Sequence, residues 1–235
     1  AETIKLLSKA VENFPDDFAV NLILGLSYTQ TSDYINAKIY LKKSIKLNPN
    51  DISALSAYSY ALSQLEEHEQ AIIYINKALA IDPDNINLIG TLAMIYNSKK
   101  NFVKSDSLYS KALTLDSANA TINNNFSYSL AERRVRLDEA LLMAEIAIAA
   151  EPENSSFLDT IGWVHFQLGN FEKAKMYIEK AVEFGGDRSV ILDHLGDVYY
   201  MLGKKEKAIS TWQKAFDLDK NNETIKNKII TEGDV

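Results

Sequence analysis

The 235 residues include no cysteine, only four prolines, nine glycines and three histidines. Without cysteine there is no disulfide, no thiolate nucleophile and no cysteine-bound zinc. Glycine and proline are too scarce for a sandwich, a barrel or a linker-rich chain. A composition of 46% hydrophobic and 24% charged residues excludes disorder and collagen. Long apolar runs are also missing. Residues 19–26 are interrupted by Asn21 and residues 141–150 by Glu145, well short of the ~20 residues a membrane span needs. A net charge of −7 disfavours a protein that works by neutralising nucleic-acid phosphates.

What is present is an interval. Pro15, Pro49, Pro83 and Pro152 stand 34, 34 and 69 residues apart, the last gap being two 34s plus one. With proline at position 32 of each repeat, six repeats follow: 18–51, 52–85, 86–119, 120–154, 155–188 and 189–222. Position 8 is small throughout (Gly25, Ser59, Ala93, Ser127, Gly162, Gly196). So are position 20 (Ala37, Ala71, Ser105, Ala140, Ala174, Ala208) and position 27 (Ser44, Ala78, Ala112, Ala147, Ala181, Ala215). Large residues fill the complementary columns, with Leu24 to Leu195 at position 7, Tyr28 to Tyr199 at position 11 and Leu41 to Trp212 at position 24. Positions 4, 7, 8 and 11 keep the spacing of one amphipathic helix, and positions 20, 24 and 27 that of a second. Each repeat therefore reads as a helical hairpin, closed by Asn-Pro-Asn-Asp-type turns in which the residue before proline leaves the helical region. The fourth repeat carries one extra residue, which alignment from both ends places in the turn at 133–136.

At these columns the sequence resembles the tetratricopeptide repeat, over residues 18–222, with residues 158–174 as the nearest match. Ser117, Gly186 and Lys220 replace the proline and His165 replaces the tyrosine at position 11. The resemblance implies an all-α fold, a right-handed α-solenoid of helical hairpins. Residues 1–17 match the second half of a repeat, with Leu7, Ala10 and Pro15 in phase, and residues 223–235 read as a capping helix and tail. The unpaired half-hairpin predicts at least one further repeat before Ala1, or self-association through the open end.

No constellation for catalysis emerges. His68 and His165 read as structural, and the three histidines have no metal-ligand spacing on one helix. His194, near Asp193 and Asp197, falls at position 6, off the stripe that holds both aspartates, so a solvated helix face is expected rather than a dyad. Phosphate-loop, Gly-x-Ser-x-Gly and His-Glu-x-x-His motifs are absent. The expectation is a protein that is not an enzyme and holds no cofactor or metal.

Once the core columns are filled, positions 2, 5, 9, 12 and 13 of each first helix remain, and in tetratricopeptide proteins this stripe lines the concave groove. None of these 30 positions is Lys or Arg, although 25 of the 235 residues are basic. That excludes the Lys/Arg clamp with which chaperone-binding tetratricopeptide domains grip a terminal carboxylate, and it disfavours nucleic acid. The expected groove residues are Tyr60, Met94, Asn124, Tyr128, Asp159, Trp163, Phe166, Asp193, Asp197 and Tyr200. Their aromatic and acidic character suits a protein or peptide segment that is apolar with some positive charge. The alternatives are a glycan or cell-wall polymer in the same groove, or a targeting module of a larger enzyme. A competing use for Tyr60, Tyr128 and Trp163 is packing against the next repeat. Residues 130–212 also look loosely like bacterial cell-envelope tetratricopeptide proteins, which implies an envelope location.

Overall fold

The computed structural model describes residues 2–233, which contain fourteen helices and no strand. One compact unit, Ala1–Ser117, holds α1 (Glu2–Asn13), α2 (Phe18–Gln30), α3 (Tyr34–Leu47), α4 (Ile52–Gln64), α5 (His68–Ile81), α6 (Ile86–Ser98) and α7 (Phe102–Leu115). A second, Ala118–Val235, holds α8 (Ala120–Glu132), α9 (Leu137–Ala150), α10 (Ser155–Gln167), α11 (Phe171–Gly185), α12 (Ser189–Met201), α13 (Lys205–Leu218) and α14 (Glu223–Gly233). Ala1 and the last two residues of the expected tail lie outside the described residues.

The helix boundaries follow from residues at fixed places in the repeat. Asp17, Asp51, Asn85, Asn119 and Asn154 each precede a first helix, and each accepts a backbone N–H from its first turn through the side-chain oxygen. Such a cap stabilises a helix by about 1 kcal/mol. Arg188 stands in the same column before α12 and makes no side-chain cap. Inside each hairpin the turn needs one residue in the left-handed region. Ser32, Glu66, Lys100, Arg134, Gly169 and Gly203 supply it, all at repeat position 15. In the longer fourth repeat Arg136 adds a second, at φ 51°.

The small columns sit where the two helices of a hairpin cross. Ala37, Ala71, Ala140, Ala174 and Ala208 are fully buried, as are Ala78, Ala112, Ala147, Ala181 and Ala215. Where serine takes a small position it fastens the crossing. Ser59 Oγ donates to the Ala71 carbonyl at 2.7 Å, Ser127 Oγ to that of Ala140 at 2.7 Å, and Ser105 Oγ to that of Ala93 at 2.9 Å. Where glycine takes position 8, the position-24 side chain fills the space. A Cβ at Gly162 would lie 2.5 Å from Ile178 Cγ1, and one at Gly196 would lie 2.3 Å from Trp212 Cδ1. His165 is buried, stacked on Tyr177 at 5.6 Å, and burial holds its pKa below the usual histidine range.

The two ends differ. No residue of α1 is fully buried, and Leu6 and Phe14 are 65% and 62% exposed. At the other end α14 closes over α12 and α13, burying Ile225 completely beside Trp212, Ala208 and Ala215.

Gly196→Ala tests the crossing. An alanine in place of glycine within a helix ordinarily gains about 0.5–1 kcal/mol. Here the added methyl meets an indole already held by a hydrogen bond, and overpacking costs about 1–3 kcal/mol. Urea unfolding of the variant is expected to show a net loss of stability, and a gain would refute the close approach.

Candidate functional site

In the N-terminal unit, Tyr60 of α4 is half-buried and meets Tyr34 edge-on at 6.1 Å. Burial, and then Tyr34 beside it, push its hydroxyl up to about 12. Met94 is half-buried on α6.

The C-terminal unit assembles the other expected residues around the first helices α8, α10 and α12. Trp163 is the hub. Its ring stacks on Phe166 at 4.7 Å and on His194 at 4.0 Å, and its Nε1 donates to Glu132 Oε1 at 2.5 Å. Tyr128 lies tilted against His194, with ring centres 6.2 Å apart. Asn124, Asp159 and Trp163 are 7%, 6% and 8% exposed, so the fold itself uses most of their surface. Tyr128, Phe166, Asp193 and Asp197 are half-buried, and Tyr200 is 40% exposed. The Oδ1 of Asn124 is sealed and has no protein hydrogen bond, while its Nδ2 donates to Asn125 Oδ1 at 3.2 Å.

His194 does not sit on a solvated helix face. It is 6% exposed, and its Nδ1 lies 2.9 Å and 3.1 Å from the two oxygens of Asp159. In this unit α10 packs beside α12, so position 6 of the sixth repeat faces position 5 of the fifth. The aspartates three residues or one residue away on its own helix are not its partners. The same step recurs at the end of the array. Lys228 of α14, 35 residues after Asp193, donates to Asp193 Oδ1 at 2.7 Å and to both oxygens of Asp197 at 2.7 and 2.8 Å. Its ammonium lies 5.7 Å from the centre of the Trp212 ring, whose Nε1 donates to Asp197 Oδ1 at 3.0 Å. Although the stripe lacks Lys and Arg, a cation thus reaches it from a neighbouring position. The missed signal was the pairing of position 5 with position 6 of the following repeat.

Charge and burial compete here. Burial works against a charged His194, but the Asp159 carboxylate in contact with it, helped by Asp193 and Glu132, outweighs that and holds its pKa above the usual histidine value. Burial likewise disfavours the Lys228 ammonium, yet Asp197 and Asp193 hold its pKa above the ordinary range. Burial and the nearby Asp193 raise that of Asp197 against the opposing pull of Lys228.

Two family models, both described as tetratricopeptide repeat, match residues 19–51, 52–85, 156–184 and 190–222, which is more than half of the chain. The chain belongs to the tetratricopeptide repeat family. Among curated relatives, the TPR repeat-containing protein PA4667 of Pseudomonas aeruginosa is 31% identical over 65 residues, covering 28% of this chain and 11% of that protein. The chain therefore spans only about a tenth of that relative's length. Among solved structures, a tetratricopeptide repeat protein from Parabacteroides merdae superposes with a TM-score of 0.75 at 18% identity, over 97% of this chain and 90% of its own. A chain of the APC/C hetero-tetramer Cut9-Hcn1 superposes with a TM-score of 0.80 at 14% identity, over 98% of this chain and 46% of its own. The tetratricopeptide fold is a protein-interaction scaffold, and this chain is built as one. Among the described residues no helix is long and apolar enough to cross a membrane.

The histidine gives a prediction with a definite sign. A folded pKa above the unfolded value of about 6.5 contributes stability that is complete below that value and is lost as pH rises through the folded pKa. The melting temperature is therefore expected to fall as pH climbs above 6.5. Asp159→Asn should cost on the order of 3 kcal/mol at pH 6, where it removes the carboxylate that stabilises the protonated, buried His194. It should cost less at pH 8, flattening the profile. A slope unchanged by this substitution would show that His194 is not the group responsible.

Proposed function

We propose that the chain is a non-catalytic scaffold that holds an extended peptide or a partner's helix against the first-helix face described above. The observation that carries this reading is the chemistry of that face. In the C-terminal unit it gathers aromatic side chains and four carboxylates, Glu132, Asp159, Asp193 and Asp197, around the His194 imidazole and the Lys228 ammonium. The acid excess favours a partner segment with apolar anchors and positive charge. The buried carboxylate of Asp159 and imidazole of His194 hold each other. In this reading Phe166, Tyr128 and Tyr200 are the contacting side chains of the C-terminal unit, and Tyr60 and Met94 are the candidates of the N-terminal unit taken by itself. Asn124, Asp159 and Trp163 form the floor that positions them. The envelope location implied by the sequence likeness goes with this proposal, and cell fractionation checks it.

Photocrosslinking tests the face. A benzophenone amino acid placed at Tyr60, Phe166 or Tyr200 is expected to join one recurring partner segment in cells. The same group at Ile39 or Met176, which are 48% and 43% exposed on second helices, is not. Equal capture from both sets would sink the proposal. A paired substitution separates floor from contact. Trp163→Ala should lower stability by about 3–5 kcal/mol, as truncation of a buried aromatic does. Tyr200→Ala should cost much less, about 1 kcal/mol for the lost ring contact with Trp212, while reducing partner crosslinking.

A further inference from the structure

A cleft of about 490 Å³ opens where α14 meets α12 and α13, walled by Asp197, Tyr200, Trp212 and Lys228. Tyr200 is 40% exposed and its ring lies 5.8 Å from that of Trp212, so an accessible aromatic surface stands over a buried one. From α14 the wall is completed by Thr224, Asn227 and Thr231, all uncharged. These three occupy the places on α14 that positions 2, 5 and 9 occupy on the preceding first helices. The cleft therefore continues the same stripe past the sixth repeat.

Its charges are unevenly matched. Lys228 makes three contacts with carboxylate oxygens, which uses all the protons of its ammonium. Asp197 in the wall and Asp193 next to it, outside the lining, set two carboxylates against the one Lys228 ammonium and leave one negative charge over at the cleft's edge; among the described residues Asp193 meets Lys228 through Oδ1. The Asp193 and Asp197 side chains are 20% and 18% exposed, so this excess reaches the surface. An anionic ligand would find no free cationic donor in the wall, and an apolar ligand would cover the excess charge without offsetting it. A cationic head on an aliphatic stem satisfies both parts, the head towards the carboxylates and the stem or guanidinium plane along Tyr200.

We propose that this cleft receives a lysine or arginine side chain from a partner's extended segment. The assignment rests on the reading that the first-helix face binds peptide, and adds to it the position and charge of one anchoring residue.

Nitrogen–proton correlation spectra of the intact chain provide the test, with acetyl-Gly-Leu-Arg-Leu-Gly-amide as the probe and its Gln and Glu counterparts as controls. The Arg peptide is expected to shift the Trp212 indole and the amides of Tyr200, Asn227 and Thr231, the Gln peptide to do so more weakly, and the Glu peptide not at all. Asn227 is exposed and makes no core contact, so its charge variants should keep the fold, as melting curves will verify. Asn227→Asp should tighten the Arg peptide by about threefold and Asn227→Lys should weaken it by about as much, both effects fading with salt. Equal binding of all three peptides, no response at the cleft, or indifference to the charge at residue 227 would overturn the assignment. Shifts confined to Tyr128 and Phe166 would overturn the cleft alone and leave the peptide-binding face standing. Crosslinking that fails at Tyr60, Phe166 and Tyr200 together would remove the face as well.

Discussion

The two helices of each hairpin cross at a point where only a hydrogen atom, a methyl or a hydroxymethyl group fits between them. Three small columns repeated through six hairpins set this distance, and the large columns fill what is left on either side. At Gly196 the missing Cβ is the space the Trp212 ring occupies, and at Gly162 it is the space of Ile178. Interiors packed to this density deform little. Each first helix is therefore carried at a fixed angle to its second, and the side chains beyond the crossing, which include the candidate contacts, are delivered to predictable places.

A second contact, between successive first helices, is polar where the hairpin crossing is apolar. Asp159 with His194 and Asp193 with Lys228 bridge one repeat to the next at the same 35-residue offset, and Asp197 joins Lys228 from 31 residues back. Buried ion pairs are weak evidence for net stability, because desolvation offsets much of the attraction. They are more effective at selecting one alignment, since a slipped neighbour would strand a charge. In this chain the pairs lie under the stripe proposed to meet the partner, and their aromatic neighbours Trp163 and Trp212 are fastened by hydrogen bonds to Glu132 and Asp197. The face is thus pre-ordered, which lowers the entropy lost when a partner settles on it.

The all-α repeat fold was legible in the sequence because helix crossing is a short-range constraint. Small residues recur at a fixed interval, and position 8 facing positions 20 and 24 can be read within one repeat. The placement of His194 was not legible in the same way. Its partner lies 35 residues back on another helix, so a view of α12 alone leaves the histidine off the stripe and facing solvent, without the Asp159 that buries it. Lys228 escaped for a related reason, since it belongs to α14 and enters the stripe from outside the six repeats. Trp163 and Asn124 fell on the expected stripe, but their burial depends on how far the next first helix overlaps them, which residue spacing does not encode.

The turn between α8 and α9 holds one residue more than its counterparts and accommodates it with two left-handed residues, Arg134 and Arg136, while Leu130 and Ala140 on either side remain fully buried. Length at that point is therefore decoupled from the packing of the hairpin. Evolution can lengthen, charge or decorate this corner without renegotiating the core, and an engineer can do the same. Arg134 and Val135, exposed between Arg133 and Arg136, are where a label, a tether or a second recognition loop could be introduced while Arg136 keeps its pairing with Glu139 and its place over the Phe126 ring.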